Sequence, residues 1–403
     1  MTEQKYKFLS TPRRPVEDRR FVAGRGKFIA DLDRPNMLHV APLASHHAAA
    51  VINGIDASAA LAMPGVVDVI TGAELAAAVQ PLMNGLNTPN VRRFPLAVDR
   101  VRYAGEWVCA VVAESRALAE DALEKIIVDA TPQPFILDAE AALLETSAPV
   151  HPEHGSNLLL DRKFVWGPVD DDFDAAAHSL SFSVTWGRNS TVPIETFGVL
   201  AEWNGWDRML DIWASIQMPK YADQIARSLD LPGNAIRVHY DVDVGGSYGV
   251  KRGIKHSVLV GYIARKLGCP VRLIEDRLEK MRAGDAHGPE RKFDITIAFD
   301  QDGTVRSMKM RALDNAGAYA GRAPFQLGKP ISAIVGPYQI NSVAYHALSV
   351  TTNKTVQEAV RGFGQAPTNY AIETAMDRVA EYLGMDRLAL RQKNLIRKDQ
   401  FPY

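Results

Sequence analysis

The spacing of apolar and polar residues in the first third of the chain predicts short strands and helices in alternation. Apolar runs bounded by polar residues predict buried strands at 66–70 and 108–112. Helices are predicted, the last from its apolar spacing, at 58–62, 73–79 and 116–125. We therefore expect a small α+β domain over residues 23–135.

The larger part of the chain, residues 158–403, carries longer elements. Alternating or continuous apolar runs predict strands at 181–186, 199–203, 210–214, 236–240, 271–275, 293–299, 307–313 and 343–350. Helices are predicted at 220–229, 254–267 and 368–383. Residues 1–22 are polar and are interpreted as an arm. Residues 136–157, rich in proline and turn residues, are interpreted as a linker with a helical patch at 139–145.

Composition and charge restrict the class of protein. The chain has 403 residues, of which 47% are apolar, and its net charge is −1. This composition is ordinary for a soluble globular enzyme, and the balanced charge indicates neither nucleic acid nor an anionic membrane as a partner. No apolar run approaches the roughly 18 residues of a membrane span. No apolar stretch of an export signal follows Arg13-Arg14 or Arg19-Arg20, so we expect a cytoplasmic protein.

Cysteine and histidine patterns argue against a metal held by protein ligands. The chain has two cysteines, Cys109 and Cys269, whereas an iron–sulfur cluster needs about four thiolates. Cys109 lies in an apolar run and is expected to be buried and inert. The histidine pairs His46-His47 and His151/His154 lack the i, i+4 spacing of a helical metal site. The prediction is that this chain supplies no metal ligands.

A glycine cluster at 245–249 follows the predicted strand 236–240 and precedes the predicted helix 254–267. This order is typical of phosphate-binding loops, but the spacing fits neither nucleotide-binding fingerprint. Two interpretations stay open from the residues alone. The cluster is either an ordinary tight turn or a place where a ligand approaches the backbone closely.

Two further blocks carry candidate chemistry. Gln217 follows a predicted strand, where a glutamine is either a turn or capping residue or an uncharged donor to a bound oxygen. Arg361-Gly362-Phe363-Gly364 precedes the last predicted helix. Its arginine offers a fork of donors to an anion, and its phenylalanine offers a flat stacking surface. The alternative for this block is a core phenylalanine beside a surface arginine.

Taken together and in this order, these blocks resemble the molybdenum-binding large subunit of the xanthine oxidase and aldehyde oxidase family. Further segments resemble sequence patterns of the family: 56–75, 101–106, 193–195, 317–319, 336–338, 352–353 and 391–394. The resemblance covers nearly the whole chain. It implies an N-terminal α/β hammerhead-like domain followed by the first molybdopterin-binding α+β domain.

The resemblance also implies a pterin-based molybdenum cofactor, whose metal is held by the pterin's own sulfurs. The cytosine dinucleotide form is expected. The implied cofactor-binding residues are Gln217, Gly245, Gly246, Ser247, Tyr248, Gly249, Arg361 and Gly362. The implied catalytic residues are Gln217, Arg361 and Phe363, with Gln217 bonded to an oxygen ligand of the metal. The implied substrate residues are Tyr248, Arg252 and Phe363.

Departures from the family pattern narrow the range of expected substrates. Tyr248 stands where members usually carry phenylalanine, which indicates a more polar pocket. Arg252 stands where purine hydroxylases of the family place a substrate-binding glutamate, which argues against a purine. The carbon monoxide-oxidising branch has a cysteine in the loop that here contains Arg361 and Phe363, which argues against that activity.

Length is the largest departure, because large subunits of this family continue for several hundred residues more. The chain is either truncated or the N-terminal half of a naturally split subunit, and we favour the split. The resemblance then implies hydroxylation of an electron-poor carbon, in an N-heteroaromatic or an aldehyde, with water as the oxygen source. The base glutamate would lie on a second molybdenum-binding chain, and electrons would pass to [2Fe–2S] and FAD subunits. The alternative is a non-catalytic assembly or scaffold lobe that has lost the cofactor.

Overall fold

The computed structural model describes residues 8, 12–83, 90–218, 220–283 and 286–401. Across those ranges the chain forms a seven-stranded, a five-stranded and a three-stranded sheet with helices packed against them. The α+β class predicted from the sequence is confirmed. No helix in the described ranges is both long and apolar enough to cross a membrane.

The strands are β1 Leu38–Ala44, β2 Ala50–Asp56, β3 Val66–Thr71, β4 Arg100–Val101, β5 Trp107–Ala113, β6 Ile127–Pro132, β7 Leu158–Trp166, β8 His178–Trp186, β9 Gly198–Asn204, β10 Met209–Ala214, β11 Ile236–His239, β12 Val271–Ile274, β13 Arg291–Phe299, β14 Val305–Gly317 and β15 Ser342–Thr351. The α-helices are α1 Asp18–Val22, α2 Ser58–Leu61, α3 Gly72–Ala78, α4 Arg116–Leu123, α5 Ala139–Ala142, α6 Val169–Ala175, α7 Tyr221–Ser228, α8 Ile254–Leu267, α9 Arg277–Arg282, α10 Ala323–Gly328, α11 Gln365–Leu383 and α12 Arg387–Asn394. Short 3₁₀ helices lie at Ile29–Asp31, Gly233–Ala235, Lys329–Ala333 and Lys398–Gln400.

The seven-stranded sheet joins two distant parts of the chain. Its order is β11-β10-β9-β12-β1-β5-β3, and β1 pairs in parallel with β12 through Leu38 with Val271 and His39 with Arg272. Strand β1 was not predicted because Pro42 interrupts its apolar run, and proline lacks the N–H of a regular ladder. This unpredicted strand links the N-terminal segment to the larger one.

The apolar cores lie on the faces of these sheets. Helices α7 and α8 contribute Ile225 and Val258 to the largest core, which lies against the seven-stranded sheet. Helix α11 packs on the five-stranded sheet, whose order is β7-β15-β14-β13-β8, through residues such as Ile372 and Met376. Cys109 is completely buried in a third cluster, and burial raises its pKa to about 12, as expected for an inert thiol.

Buried charges stabilise the edge of the seven-stranded sheet where β12 ends. Glu275 is completely buried, and its carboxylate lies 2.6 Å from His256 Nε2 and 3.6 Å from Lys280 Nζ. Burial alone would raise the pKa of Glu275, but His256 and Lys280 hold it at about 2. Because this value lies below the ordinary value of about 4.3, the ionised group stabilises the fold above that pH. The contribution is lost as pH falls toward 2.

We therefore expect Glu275→Ala to lower the free energy of unfolding by about 3–5 kcal/mol at pH 7, because it leaves the buried cations without the carboxylate that balances their charge. Urea unfolding at pH 7 and during acidification measures both effects. The fall in stability between about pH 4.3 and 2 should shrink in the variant. Glu120→Ala is the matched control, because Glu120 forms an exposed pair with Arg116 that contributes less than about 1 kcal/mol. A loss no larger than that of the control would contradict this account.

Candidate functional site

Parallel strands bring the first two candidate blocks to one edge of the seven-stranded sheet. Strands β10 and β11 pair in parallel and are connected by α7, so the loops that leave them lie at the same edge. Gln217 is in the loop after β10, and the glycine cluster is in the loop after β11. The backbone N–H of Gly249 donates a hydrogen bond to Gln217 Oε1 at 3.2 Å. The two blocks therefore meet directly.

The third block meets the glycine loop at backbone distance. Gly249 has a φ of +108°, and a Cβ at this position would lie 2.4 Å from the carbonyl oxygen of Ala359. No other residue type fits there without moving one of the two loops. The segment that leads into Arg361 is thus held against the glycine loop, and the three blocks form one cluster.

Two aromatic residues of this cluster have a positive φ, which is uncommon outside glycine. Among the described residues, positive φ outside glycine occurs at Asn36, Arg208, Asp230, Tyr248 and Phe363. Asparagine and aspartate tolerate this region, whereas it is uncommon for an aromatic residue. Tyr248 and Phe363 are the two aromatic members and both belong to the candidate site. Strain of this kind is typical of functional sites, where neighbouring structure maintains it.

Phe363 is held by its glycine neighbours. A Cβ on Gly364, whose φ is +86°, would lie 1.9 Å from the carbonyl oxygen of Gln326, so the loop packs tightly before α11 begins. The half-buried ring of Phe363 lies 5.4 Å from Lys329 Nζ, measured to the ring centroid. Tyr248 is 48% exposed, so its hydroxyl does not need a buried partner.

The cluster presents several hydrogen-bond donors that the described residues leave open. The backbone N–H groups of Ser247 and Tyr248 have no acceptor in that part of the chain. The same holds for Nε2 of Gln217 and for the guanidinium of Arg361, both of which are exposed. Open amides beside a glycine backbone and a free guanidinium fit a large polar group that carries oxygen acceptors and negative charge.

A partly buried ion pair fixes the glycine loop from below. Glu195 Oε2 accepts a hydrogen bond from the backbone N–H of Gly245 at 2.7 Å and an ion-pair contact from Lys251. The Lys251 side chain is completely buried; burial lowers its pKa, while Glu195 opposes that effect. Glu195 lies in the segment 193–195 that resembles the family, and no role was predicted for it. A carboxylate just before a predicted strand was the available signal.

Arg252 has a partner that the sequence did not reveal. Its guanidinium nitrogen Nη1 lies 2.8 Å from Glu358 Oε2, and Arg93 Nη1 lies 3.7 Å from Glu358 Oε1. Glu358 immediately precedes the Ala359 carbonyl that meets Gly249. Neither Glu358 nor Arg93 was among the predicted site residues, because each lies far from Arg252 along the chain.

Metal-ligating side chains do not form a cluster among the described residues. In the ranges that the structure describes, no set of three or more His, Cys, Asp or Glu side chains is arranged to hold a metal ion.

Comparison with known families matches both parts of the chain. Residues 150–395 match the molybdopterin cofactor-binding domain, and residues 23–134 match the a/b hammerhead domain of aldehyde oxidase and xanthine dehydrogenase. The predicted order of a hammerhead domain followed by a molybdopterin-binding domain is therefore confirmed.

Individual relatives are similar over almost all of this chain. The 6-hydroxypseudooxynicotine dehydrogenase complex subunit gamma and the nicotine 6-hydroxylase large subunit, both of Paenarthrobacter nicotinovorans, are each 32% identical. The alignments cover 96% of this chain and 49% and 48% of the relatives. The structure of quinoline 2-oxidoreductase from Pseudomonas putida 86 superposes with a TM-score of 0.91 at 33% identity, covering 99% of this chain and 51% of that one.

Carbon monoxide dehydrogenase from Oligotropha carboxidovorans superposes with a TM-score of 0.86 at 29% identity, covering 98% of this chain and 51% of that one. This chain thus spans about half the length of the proteins it matches. With family matches that together cover most of its length, the chain belongs to the molybdopterin cofactor-binding family of aldehyde oxidases and xanthine dehydrogenases.

Proposed function

We propose that this chain is the N-terminal half of the molybdenum-binding unit of a hydroxylase or dehydrogenase. The enzyme would oxidise an electron-poor carbon, in an N-heteroaromatic or an aldehyde, with water as the source of oxygen. The observation that carries the proposal is the convergence of Gln217, the 245–249 loop and the 359–364 loop, with their donors open, in a chain of this family.

The residues of the cluster divide into cofactor-binding and substrate-binding groups. Gln217 Nε2 and the N–H groups of Ser247 and Tyr248 would donate to the oxygen-rich metal end of the cofactor, which supplies two-electron redox chemistry when bound. The backbone of Gly245, Gly246, Gly249 and Gly362 would lie beside the cofactor, although Gly249 itself packs against the Ala359 carbonyl. Arg361 would offset the negative charge of the cofactor. These fixed dipoles would stabilise charge that develops during the reaction without reorganising.

The aromatic residues would set the geometry of the substrate. Phe363 would hold the plane of a ring or carbonyl beside the reacting position, since correct orientation removes much of the entropic barrier. Tyr248 and Arg252 would add polar contacts. The pairing of Arg252 with Glu358 explains how an arginine is accommodated at a position where we expect purine enzymes to carry glutamate.

Partners complete the proposed enzyme. A second molybdenum-binding chain would supply the general base and most contacts to the pterin tail, which we expect to be the cytosine dinucleotide form. A [2Fe–2S] subunit and an FAD subunit would remove electrons, and the assembly would be cytoplasmic. The names of relatives, such as complex subunit gamma and large subunit, support membership of a multi-subunit assembly.

Metal analysis of the complex purified through this chain tests the proposal directly. About one molybdenum per copy of this chain is expected. A complex with its partner chains intact and no molybdenum would instead support the scaffold alternative and overturn the enzyme proposal.

Gln217→Ala should lower kcat on the order of 100-fold while molybdenum content stays unchanged, because it removes one preoriented donor from a site with several. Steady-state kinetics and metal analysis on the same preparation measure the two effects. Gln301→Ala is the control, since Gln301 is exposed in the turn between β13 and β14. An unchanged kcat in the Gln217 variant would remove this residue from the site.

Gly249→Ala should act differently, because its Cβ would meet the Ala359 carbonyl and its φ is positive. We expect the unfolding free energy to fall by about 1–3 kcal/mol or more, and molybdenum content to fall with it. Chemical unfolding and metal analysis measure both. Gly187→Ala is the control, since that position has open space around it and no positive φ. Equal stability and equal metal content in both variants would contradict the proposed contact.

A further inference from the structure

Gln326 on helix α10 is completely buried beside the segment 358–364, which carries Arg361 and Phe363. A buried glutamine has to find hydrogen-bond partners for its amide within the protein. Its Nε2 donates to the carbonyl oxygen of Glu358 at 3.1 Å. Its backbone carbonyl oxygen packs on Gly364, where a Cβ would lie only 1.9 Å away. One residue therefore contacts both ends of the segment.

The backbone of the segment 358–364 needs support from its surroundings. Three successive residues, Gly362, Phe363 and Gly364, have φ values of +96°, +46° and +86°. The two glycines adopt this region without strain, whereas the aromatic residue between them does not. A strained residue keeps such a conformation only where neighbouring structure determines it. The contacts of Gln326 at the two ends of the segment supply that restraint.

A buried ion pair holds Gln326 in place. Arg291 Nε donates to Asp314 Oδ1 at 2.7 Å, and both side chains are completely buried. Arg291 Nη1 also donates to the backbone carbonyl oxygen of Gln326 at 3.4 Å. Burial raises the pKa of Asp314, whereas the charge of Arg291 opposes that effect. Such a pair permits little movement, because separating its members leaves a buried charge without a partner.

A second buried amide, that of Gln357, connects this ion pair to Gln326. In the orientation that satisfies the amide, its nitrogen donates to Asp314 Oδ2 at 2.9 Å. Its oxygen then accepts a hydrogen bond from Gln326 Nε2, also at 2.9 Å. An amide nitrogen carries two protons, so Gln326 can donate to both Gln357 and the Glu358 carbonyl. The network thus extends from the five-stranded sheet into the start of the segment 358–364.

The Phe363 ring is contacted from the same side of the molecule. Lys329 follows Gln326 by three residues, in the 3₁₀ helix that continues α10, and its Nζ lies 5.4 Å from the centroid of the ring. Helix α10 and its continuation therefore contact the segment at three points. These are the Glu358 carbonyl, the backbone of Gly364 and the Phe363 ring.

We propose that Gln326 is a positioning residue that sets the conformation of Phe363 and, through it, the preference of the enzyme for flat substrates. This inference rests on the proposed function, in which Phe363 holds the plane of the substrate. A well-placed aromatic contact favours a flat ring by about two- to tenfold. That advantage is lost when the ring is no longer held in one orientation.

Hydrogen–deuterium exchange of the purified complex, followed by mass spectrometry, tests the positioning role. Gln326→Leu removes the hydrogen bonds of the amide and should accelerate exchange at residues 359–364 about tenfold. Gln326→Glu keeps the shape of the side chain. Burial favours its protonated form, which still donates one hydrogen bond, so it should restore most of the protection. Gln357→Leu leaves the bond from Gln326 to Glu358 intact and should have a smaller effect on the same segment.

Asn394→Leu is the matched control for exchange. Asn394 is also a buried amide, but it donates to the Gly303 carbonyl and accepts from the Val305 N–H, outside this network. Its removal should lower stability without accelerating exchange at residues 359–364.

Two aldehydes that differ in their ring test the substrate preference. Benzaldehyde can stack on Phe363, whereas acetaldehyde presents the same reacting group without a ring. At equal molybdenum content, Gln326→Leu should lower kcat/KM about tenfold for benzaldehyde and less than twofold for acetaldehyde. A purely structural role would lower both values alike.

The outcomes separate this inference from the proposed function. Exchange at residues 359–364 that is no faster in Gln326→Leu than in Asn394→Leu overturns the inference, even if molybdenum is present. Equal losses with the two aldehydes overturn it as well. Faster exchange confined to this segment in a molybdenum-free complex supports the positioning of Phe363 by Gln326 while the proposed function fails. A complex that oxidises neither aldehyde is judged by the exchange measurement, which needs no substrate.

Discussion

The candidate site depends on one backbone contact, between Gly249 and the carbonyl oxygen of Ala359. At this point two loops that are more than 100 residues apart approach within a distance that leaves no room for a Cβ. The contact determines where the neighbours of each loop lie. Tyr248 and Arg252 flank the glycine, and Glu358 and Arg361 flank the carbonyl. The pairing of Arg252 with Glu358 is thus a consequence of the same contact.

The seven-stranded sheet explains why so many polar groups collect at this place. Strands β10 and β12 are parallel to β11, so the loops after all three leave the same edge, while antiparallel β9 begins there. Gln217, the glycine loop, Glu275 and Glu195 all come from these strand ends. The N-terminal segment enters through β1, and a cavity of about 260 Å³ beside the site is lined by residues from both parts of the chain.

Two layers of charge with different environments surround the glycine loop. Beneath it, Glu195, which is partly buried, pairs with Lys251. Glu275 pairs with His256 and Lys280 in completely buried surroundings, where removal of one partner is costly. Beside it, Glu358 lies 2.8 Å from Arg252 and 3.7 Å from Arg93, and its side chain is only 4% exposed. These pairs join the glycine loop to the segment that leads into Arg361. The strained backbone of Tyr248 and Phe363 fits this arrangement, because rigid surroundings can maintain it.

Local sequence was sufficient to predict most helices and strands and to nominate the blocks of the candidate site. The predicted helix 254–267 matches α8 residue for residue, because a long apolar periodicity and a preceding glycine determine it locally. Gln217, the glycine cluster and Arg361–Gly364 could be predicted as candidate site residues because each combines an unusual local pattern with a resemblance to a family. Strand β1 could not, since Pro42 breaks its pattern and only pairing with β12 and β5 makes it a strand. Glu358, Arg93 and Arg322 are ordinary charged residues in the sequence. Their shared cavity exists only because folding brings distant segments together, and charge balance in a buried space is a property of that arrangement rather than of any segment.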